Sequence, residues 1–278
     1  MSANNIDLMC LYWTSAGYHP DESGISRFGF RDRVEAAAKA GFTGVGIWHE
    51  DLKHVLEKMS LREMKSILDD NGIKYLELEF LLNWFLDGEK RRESDKLRKQ
   101  LFEASGILQA KHVKIGDFYR SITPMPKLIE EFALLCKQAE DYGATIGFEV
   151  MEVSMVNTLK EAMEMIEGAG PKNGGIIIDI VQQVNIGMSF EELSKIPLKY
   201  LLGIELDDGL LPGSPGHGKT DRLYCGEGEF DIKGFVECIK NMGYTGPWAV
   251  EVINREYAKQ PLDQLCERAY NTTIKYIA

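Results

Sequence analysis

KLIEEFALLCKQAEDYGATIGFEVM (127–151) holds the unit on which the fold turns. In its first part apolar residues recur three and four positions apart, the period of an amphipathic helix, and Gly143 supplies a left-handed C-cap. TIGFEVM (145–151) then reads as a short buried strand that carries an acid, Glu149, near its downstream end.

The same alternation extends in both directions. Strand-like runs stand at IDLMCLYW (6–13), FTGVGIW (42–48), IKYLELEF (73–80), KHVKIG (111–116), GIIIDI (175–180), YLLGIEL (200–206) and PWAVEVI (247–253). Helical stretches separate them. RFGFRDRVEAAAKAG and LREMKSILDDNG each end on a glycine, and ESDKLRKQLFEASGILQ and FDIKGFVECIKNMGYTG precede strands four and eight. Eight strand–helix pairs with no composition shift between them predict one domain over 1–278, an α/β chain closed as a (β/α)8 TIM barrel. An open doubly wound sheet is disfavoured, because no G-x-G-x-x-G follows the first strand. Irregular sequence gathers at 14–25 and 208–230, after strands one and seven, where barrel loops form the catalytic face.

Four of the strands carry an acid at the same downstream position: Glu149, Asp179, Glu205 and Glu251. Closure brings the four together at one mouth. Each stands among apolar neighbours, where a lone carboxylate is destabilising unless it is protonated or paired. Outward-facing salt bridges are the structural alternative. A shared divalent cation accounts for the repeated placement, since like charges about 4 Å apart repel by roughly 4 kcal/mol at an effective dielectric near 20. An all-oxygen donor set favours Mn2+ or Mg2+ over zinc. One divalent ion does not balance four carboxylates, so basic neighbours are expected: Lys114 on strand four, Arg222 after strand seven, and Lys219 or His217 in the same loop. Trp13 and Trp48, at the ends of their strands, are placed to face a sugar ring, and Trp84 also falls near the mouth; Phe80 reads as a core residue. Glu77 and Glu79 share one face of strand three, with Glu79 either joining the mouth or forming an outward salt bridge. His49, His54 and His112 read as structural.

These residues resemble the sugar phosphate isomerase/epimerase superfamily of xylose isomerase-like barrels. The most specific match is GEGEFDIKGFVECIKNMGYTGPWAVEV (226–252), similar to that superfamily's G-x-G-x-x-(D/N) turn, its helix, a GY-x-G turn and a last strand with a glutamate ligand. GFTGVGIW and the strand-five glutamate fit as well. The resemblance implies that Glu149, Asp179 and Glu251 are metal ligands, and that Glu149 and Glu251 are also the acid/base pair of an epimerase. Two positions depart from the pattern: Glu205 stands where strand seven normally offers a histidine, and Gln182 where many relatives carry another. A neutral amide orients a hydroxyl but exchanges no proton near pH 7.

Other classes fit poorly. MSANNIDLMC is unlike a signal peptide and no apolar run reaches bilayer-spanning length, so a soluble, cytoplasmic protein is expected. Five cysteines without a C-x-x-C suggest neither a disulfide framework nor a zinc knuckle. A net charge of −11 argues against a nucleic-acid partner. It also argues, with only five histidines, against the DNA-repair endonucleases of the same superfamily. GSPGHGKT (213–220) matches the phosphate-loop spelling, but the residues after it cannot start a helix until about Asp231, so it reads as a flap over the mouth. The expected function is therefore a metal-dependent isomerase or epimerase acting on a small sugar or keto-polyol through an enediolate. Glu149 and Glu251 are its acid/base pair, and Trp13, Trp48, Lys114, Gln182, His217 and Arg222 hold the substrate. A dehydratase on the same scaffold and a non-catalytic sugar-binding barrel are the alternatives. A homo-oligomer is compatible with either.

Overall fold

The computed structural model describes residues 6–218 and 221–278. Eight parallel strands pair in chain order and close: β1 (Leu8–Cys10), β2 (Gly44–Trp48), β3 (Tyr75–Leu81), β4 (His112–Ile115), β5 (Ile146–Glu149), β6 (Gly174–Asp179), β7 (Leu201–Leu206) and β8 (Trp248–Val250), with β8 hydrogen-bonded to β1. The fold is the expected closed barrel. Helices over Phe30–Ala40, Leu61–Asp70, Gly88–Leu108, Met125–Glu140, Leu159–Ala169, Ile232–Asn241 and Leu262–Ile277 wrap it, burying their apolar stripes against the strands. None of the described helices is long and apolar enough to cross a membrane.

The glycine stops act where the sequence placed them. Gly41 (φ 113°) caps Phe30–Ala40, Gly72 (φ 68°) follows Leu61–Asp70, and Gly143 (φ 66°) follows Met125–Glu140. Inside the barrel, small residues make room for large ones. A Cβ on Gly203 would come within 3.4 Å of the His112 ring, which fills the lower lumen.

Strand one is shorter than the sequence suggests. It ends at Cys10, and Tyr12–Ser15 forms a helical turn instead, so Trp13 does not end a strand. A long-range contact decides this: Thr14 Oγ1 donates to Val250 O at 2.9 Å and accepts from Val252 N at 2.9 Å, tying the turn to the end of β8. The segment 213–218 runs into no helix; the next begins at Ile232, capped by Asp231. Lys219 and Thr220 lie outside the described residues.

Candidate active site

Strand parity turns the four acids inward near the ends of β5 to β8. Asp179 pairs with Glu205 across β6 and β7, and Glu149, at the end of β5, lies opposite Ile177. Glu251 follows β8 directly. One carboxylate oxygen from each of Glu149, Asp179, Glu205 and Glu251 lies within 4.8 Å of the others, and all four residues are buried. A cation bound at 2.0–2.6 Å by oxygen ligands needs about that spread. Glu205 Oε2 has no hydrogen-bond donor, and such an orphaned buried lone pair is what a cation would satisfy. The donor set therefore fits a divalent metal ion.

Three further acids surround this set, of which the sequence reading offered Glu79 as one alternative, left Glu77 without a role and passed over Asp207. Glu77 and Glu79 both turn inward, so the outward salt bridge considered for Glu79 does not form; each is 1% exposed. Asp207, two residues beyond Glu205 and on the same face, is fully buried as well. Period-two parity from Glu205 was the available signal for Asp207. Two cations serve this group. Lys114 Nζ lies 2.8 Å from Glu205 Oε1, 3.1 Å from Glu77 Oε1, 3.3 Å from Glu251 Oε1, 3.6 Å from Glu79 Oε2 and 3.9 Å from Glu149 Oε2. Arg222 Nη1 reaches Asp179 Oδ2 at 2.8 Å, Glu251 Oε2 at 3.0 Å and Asp207 Oδ2 at 3.1 Å. His112 Nε2 pairs with Glu77 beneath them.

Burial and mutual repulsion set the protonation pattern. Burial pushes the Glu149 carboxyl up to about 8 and Asp179 to about 6, against the opposing pull of Lys114 and Arg222 respectively. Glu79, Glu205 and Asp207 are driven well above the usual carboxylate range, again chiefly by burial. Glu77 is the exception: Lys114 and His112 outweigh its burial and hold it at about 2. Burial disfavours the Lys114 ammonium, yet the carboxylates around it raise its pKa well above normal, so it stays charged. Without a metal the cluster must hold protons.

Above the acids opens a cavity of about 370 Å3, lined by Glu79, Glu149, Glu251, Lys114, Arg222 and Gln182 on its polar side. Trp13, Trp48, Phe80 and Phe118 form the facing wall, with successive ring centroids 5.2, 6.3 and 4.9 Å apart. Phe80, read from sequence as core, lines the cavity, whereas Trp84 is packed in the core against Phe85 and Phe132. Gln182 Oε1 accepts from Glu152 N at 3.1 Å. His217 is not brought to this cavity. Its Nδ1 donates to Leu210 O at 2.8 Å, and its ring lines a smaller neighbouring cavity of about 160 Å3 that shares Arg222. His49 accepts from Phe80 N at 3.3 Å and reads as structural, as expected.

Arg222 is held by its backbone, with its N donating to Ile253 O at 3.0 Å and its O accepting from Asn254 Nδ2 at 2.8 Å, and Asp208 gathers the loop that carries it. That buried carboxylate accepts from Gly209 N (2.8 Å) and Phe230 N (3.0 Å) through Oδ1, and from Gly226 N (2.8 Å) and Gly228 N (3.0 Å) through Oδ2. Residues 208–209 and 226–230 are thereby drawn together, and Asp208 and Leu223 exchange two backbone bonds of 2.8 Å beside Arg222.

Comparison with known proteins agrees with the barrel fold. A 3-dehydroshikimate dehydratase of Pseudomonas aeruginosa is 25% identical over 241 residues, 83% of this chain, but this chain spans only 37% of that enzyme's length. An inosose isomerase of Halalkalibacterium halodurans is 23% identical over 269 residues, 88% of this chain and 90% of the isomerase. The crystal structure of the IolI protein with a bound zinc atom superimposes with a TM-score of 0.85 at 21% identity, covering 98% of both chains. The family model described as xylose isomerase-like TIM barrel matches residues 34–271, and with that match the chain belongs to the xylose isomerase-like TIM-barrel family.

Proposed function

We propose that the chain is a divalent-metal-dependent isomerase or epimerase of a small sugar or keto-polyol, moving a proton at the carbon beside the carbonyl through an enediolate. The observation that carries this reading is the meeting of four carboxylate oxygens within 4.8 Å at the floor of a cavity whose facing wall is aromatic. The inosose isomerase relatives, similar in length to this chain, support it. A bound divalent cation, Mn2+ or Mg2+ by the hardness of the all-oxygen set, would supply polarisation of the carbonyl and adjacent hydroxyl.

The chain's own residues do the rest. Glu149 on β5 and Glu251 beyond β8 reach the floor from separate strands, so that one removes a proton from the substrate and the other returns one. Lys114 at 3.3 Å and Arg222 at 3.0 Å hold the two oxygens of Glu251 and fix its orientation. Both cations line the cavity and offset negative charge developing on the substrate oxygens. Trp13 and Trp48 take the apolar face of the ring, and Gln182 orients a hydroxyl.

One observation favours a second reading, a dehydratase. Glu79 lines the cavity with its Oε1 free of any hydrogen bond, and burial keeps this carboxyl protonated more readily than usual. Such a group can hand a proton to a leaving hydroxyl after the same first abstraction. Incubation of the Mn2+-loaded protein with a panel of keto-polyols in D2O separates the readings. Epimerisation or isomerisation puts deuterium beside the carbonyl without new absorbance, and elimination produces an enone band. Glu149→Gln and Glu251→Gln should each slow exchange by roughly 10²- to 10⁴-fold. No exchange with any member of the panel would count against both.

A further inference from the structure

The floor of the cavity already contains a cation of its own. Lys114 has 0% exposure, and its ammonium stands within 4.0 Å of three of the four converging acids: Glu205 at 2.8 Å, Glu251 at 3.3 Å and Glu149 at 3.9 Å. An ammonium is strongly hydrated in water, and it is stable inside a core only where carboxylates replace that water. Here they do so on every side, because Glu77 and Glu79 complete the shell from β3 at 3.1 and 3.6 Å. His112, paired with Glu77, closes it from below. Five carboxylates between 2.8 and 3.9 Å hold the lysine where it stands, on a stem that rises from β4 into the lumen.

We propose that Lys114 is the built-in counter-cation of the metal centre: paired with Glu205, it withdraws one unit of negative charge from the four-carboxylate set and so holds the site's affinity for divalent cations below what the four acids alone would give. This rests on the reading that Glu149, Asp179, Glu205 and Glu251 hold such a cation. The physical basis is simple repulsion. An ion touching an oxygen of Glu205 comes within a few ångströms of the ammonium, in surroundings where charges are weakly screened. Asp179 is the ligand least affected, since Arg222 rather than Lys114 holds it, at 2.8 Å. The arrangement makes a readily exchanged metal rather than a permanently bound one.

The test is Mn2+ binding to the full chain stripped of metal with EDTA, followed by calorimetry and by the electron paramagnetic resonance signal of free Mn2+ at pH 8. Lys114→Met and Lys114→Gln should each lower the Mn2+ dissociation constant at least tenfold relative to wild type. Binding by the variants alone, with wild type silent, would also support the proposal. Wild-type binding with an unchanged or weakened constant in both variants would overturn it, leaving the metal reading intact. No binding in any of the three proteins would overturn the metal reading itself, and this inference with it. Removal of a buried cation also weakens the fold, so melting temperatures are read alongside. A variant that folds only with Mn2+ present supports the proposal; failure of both to fold in either condition makes the ammonium structural and refutes it.

Discussion

Asp208→Asn replaces one oxygen by an NH2 group and should unsettle the segments that this carboxylate joins, Gly209 and 226–230. Each carboxylate oxygen accepts two backbone N–H groups: Gly209 and Phe230 at Oδ1, Gly226 and Gly228 at Oδ2, all between 2.8 and 3.0 Å. An asparagine keeps one acceptor. Whichever way its amide is turned, the NH2 group points at two N–H donors, so two bonds to a charged acceptor are lost. At about 1.5–3 kcal/mol for each, the loss is roughly 3–6 kcal/mol. A urea titration followed by far-UV dichroism measures it. A variant within about 1 kcal/mol of wild type, in the range of ordinary surface changes, would refute the reasoning.

Two further outcomes follow from the site and its wall. Trp48→Ala removes the centre of the aromatic face, between Trp13 and Phe80, and should raise KM roughly three- to tenfold with little change in kcat, an aromatic contact being worth about 0.5–1.5 kcal/mol; steady-state kinetics decide it, and an unchanged KM would remove that wall from the substrate. His49 is held neutral by burial, its pKa lowered from 6.5 to about 4. The unfolded chain binds this proton first as pH falls, so the stability is complete above pH 6.5 and is lost down to pH 4, by roughly 3 kcal/mol. Urea midpoints at pH 7 and pH 5 should converge in His49→Gln relative to wild type, and equal slopes in the two proteins would contradict the assignment.

The barrel was legible because its signals are local. Helical period, glycine stops such as Gly41 and Gly143, and an acid at the end of each late strand all lie within a few residues of one another. What could not be read depends on contacts between distant strands. Leu11, Tyr12 and Trp13 continue an apolar run, and only Thr14 binding to the end of β8 turns them into helix. Parity showed that Glu77 and Glu79 share a face but not which face; the answer came from Lys114 on β4, which both approach. Phe80 could not be placed for the same reason, since both faces of a barrel strand are apolar, and Trp84 lies beyond the end of β3, where strand parity no longer applies. The position of His217 depends on how a glycine-rich loop folds over itself, and its hydrogen bond to Leu210 is a product of that folding.

The claim that Glu149, Asp179, Glu205 and Glu251 share one cation is tested most directly by crystals soaked in Mn2+, with data collected at the manganese edge. An anomalous peak within about 2.0–2.6 Å of an oxygen from each of the four is the expected result. A clean map with no peak between them, or a peak only on surface carboxylates, would contradict it.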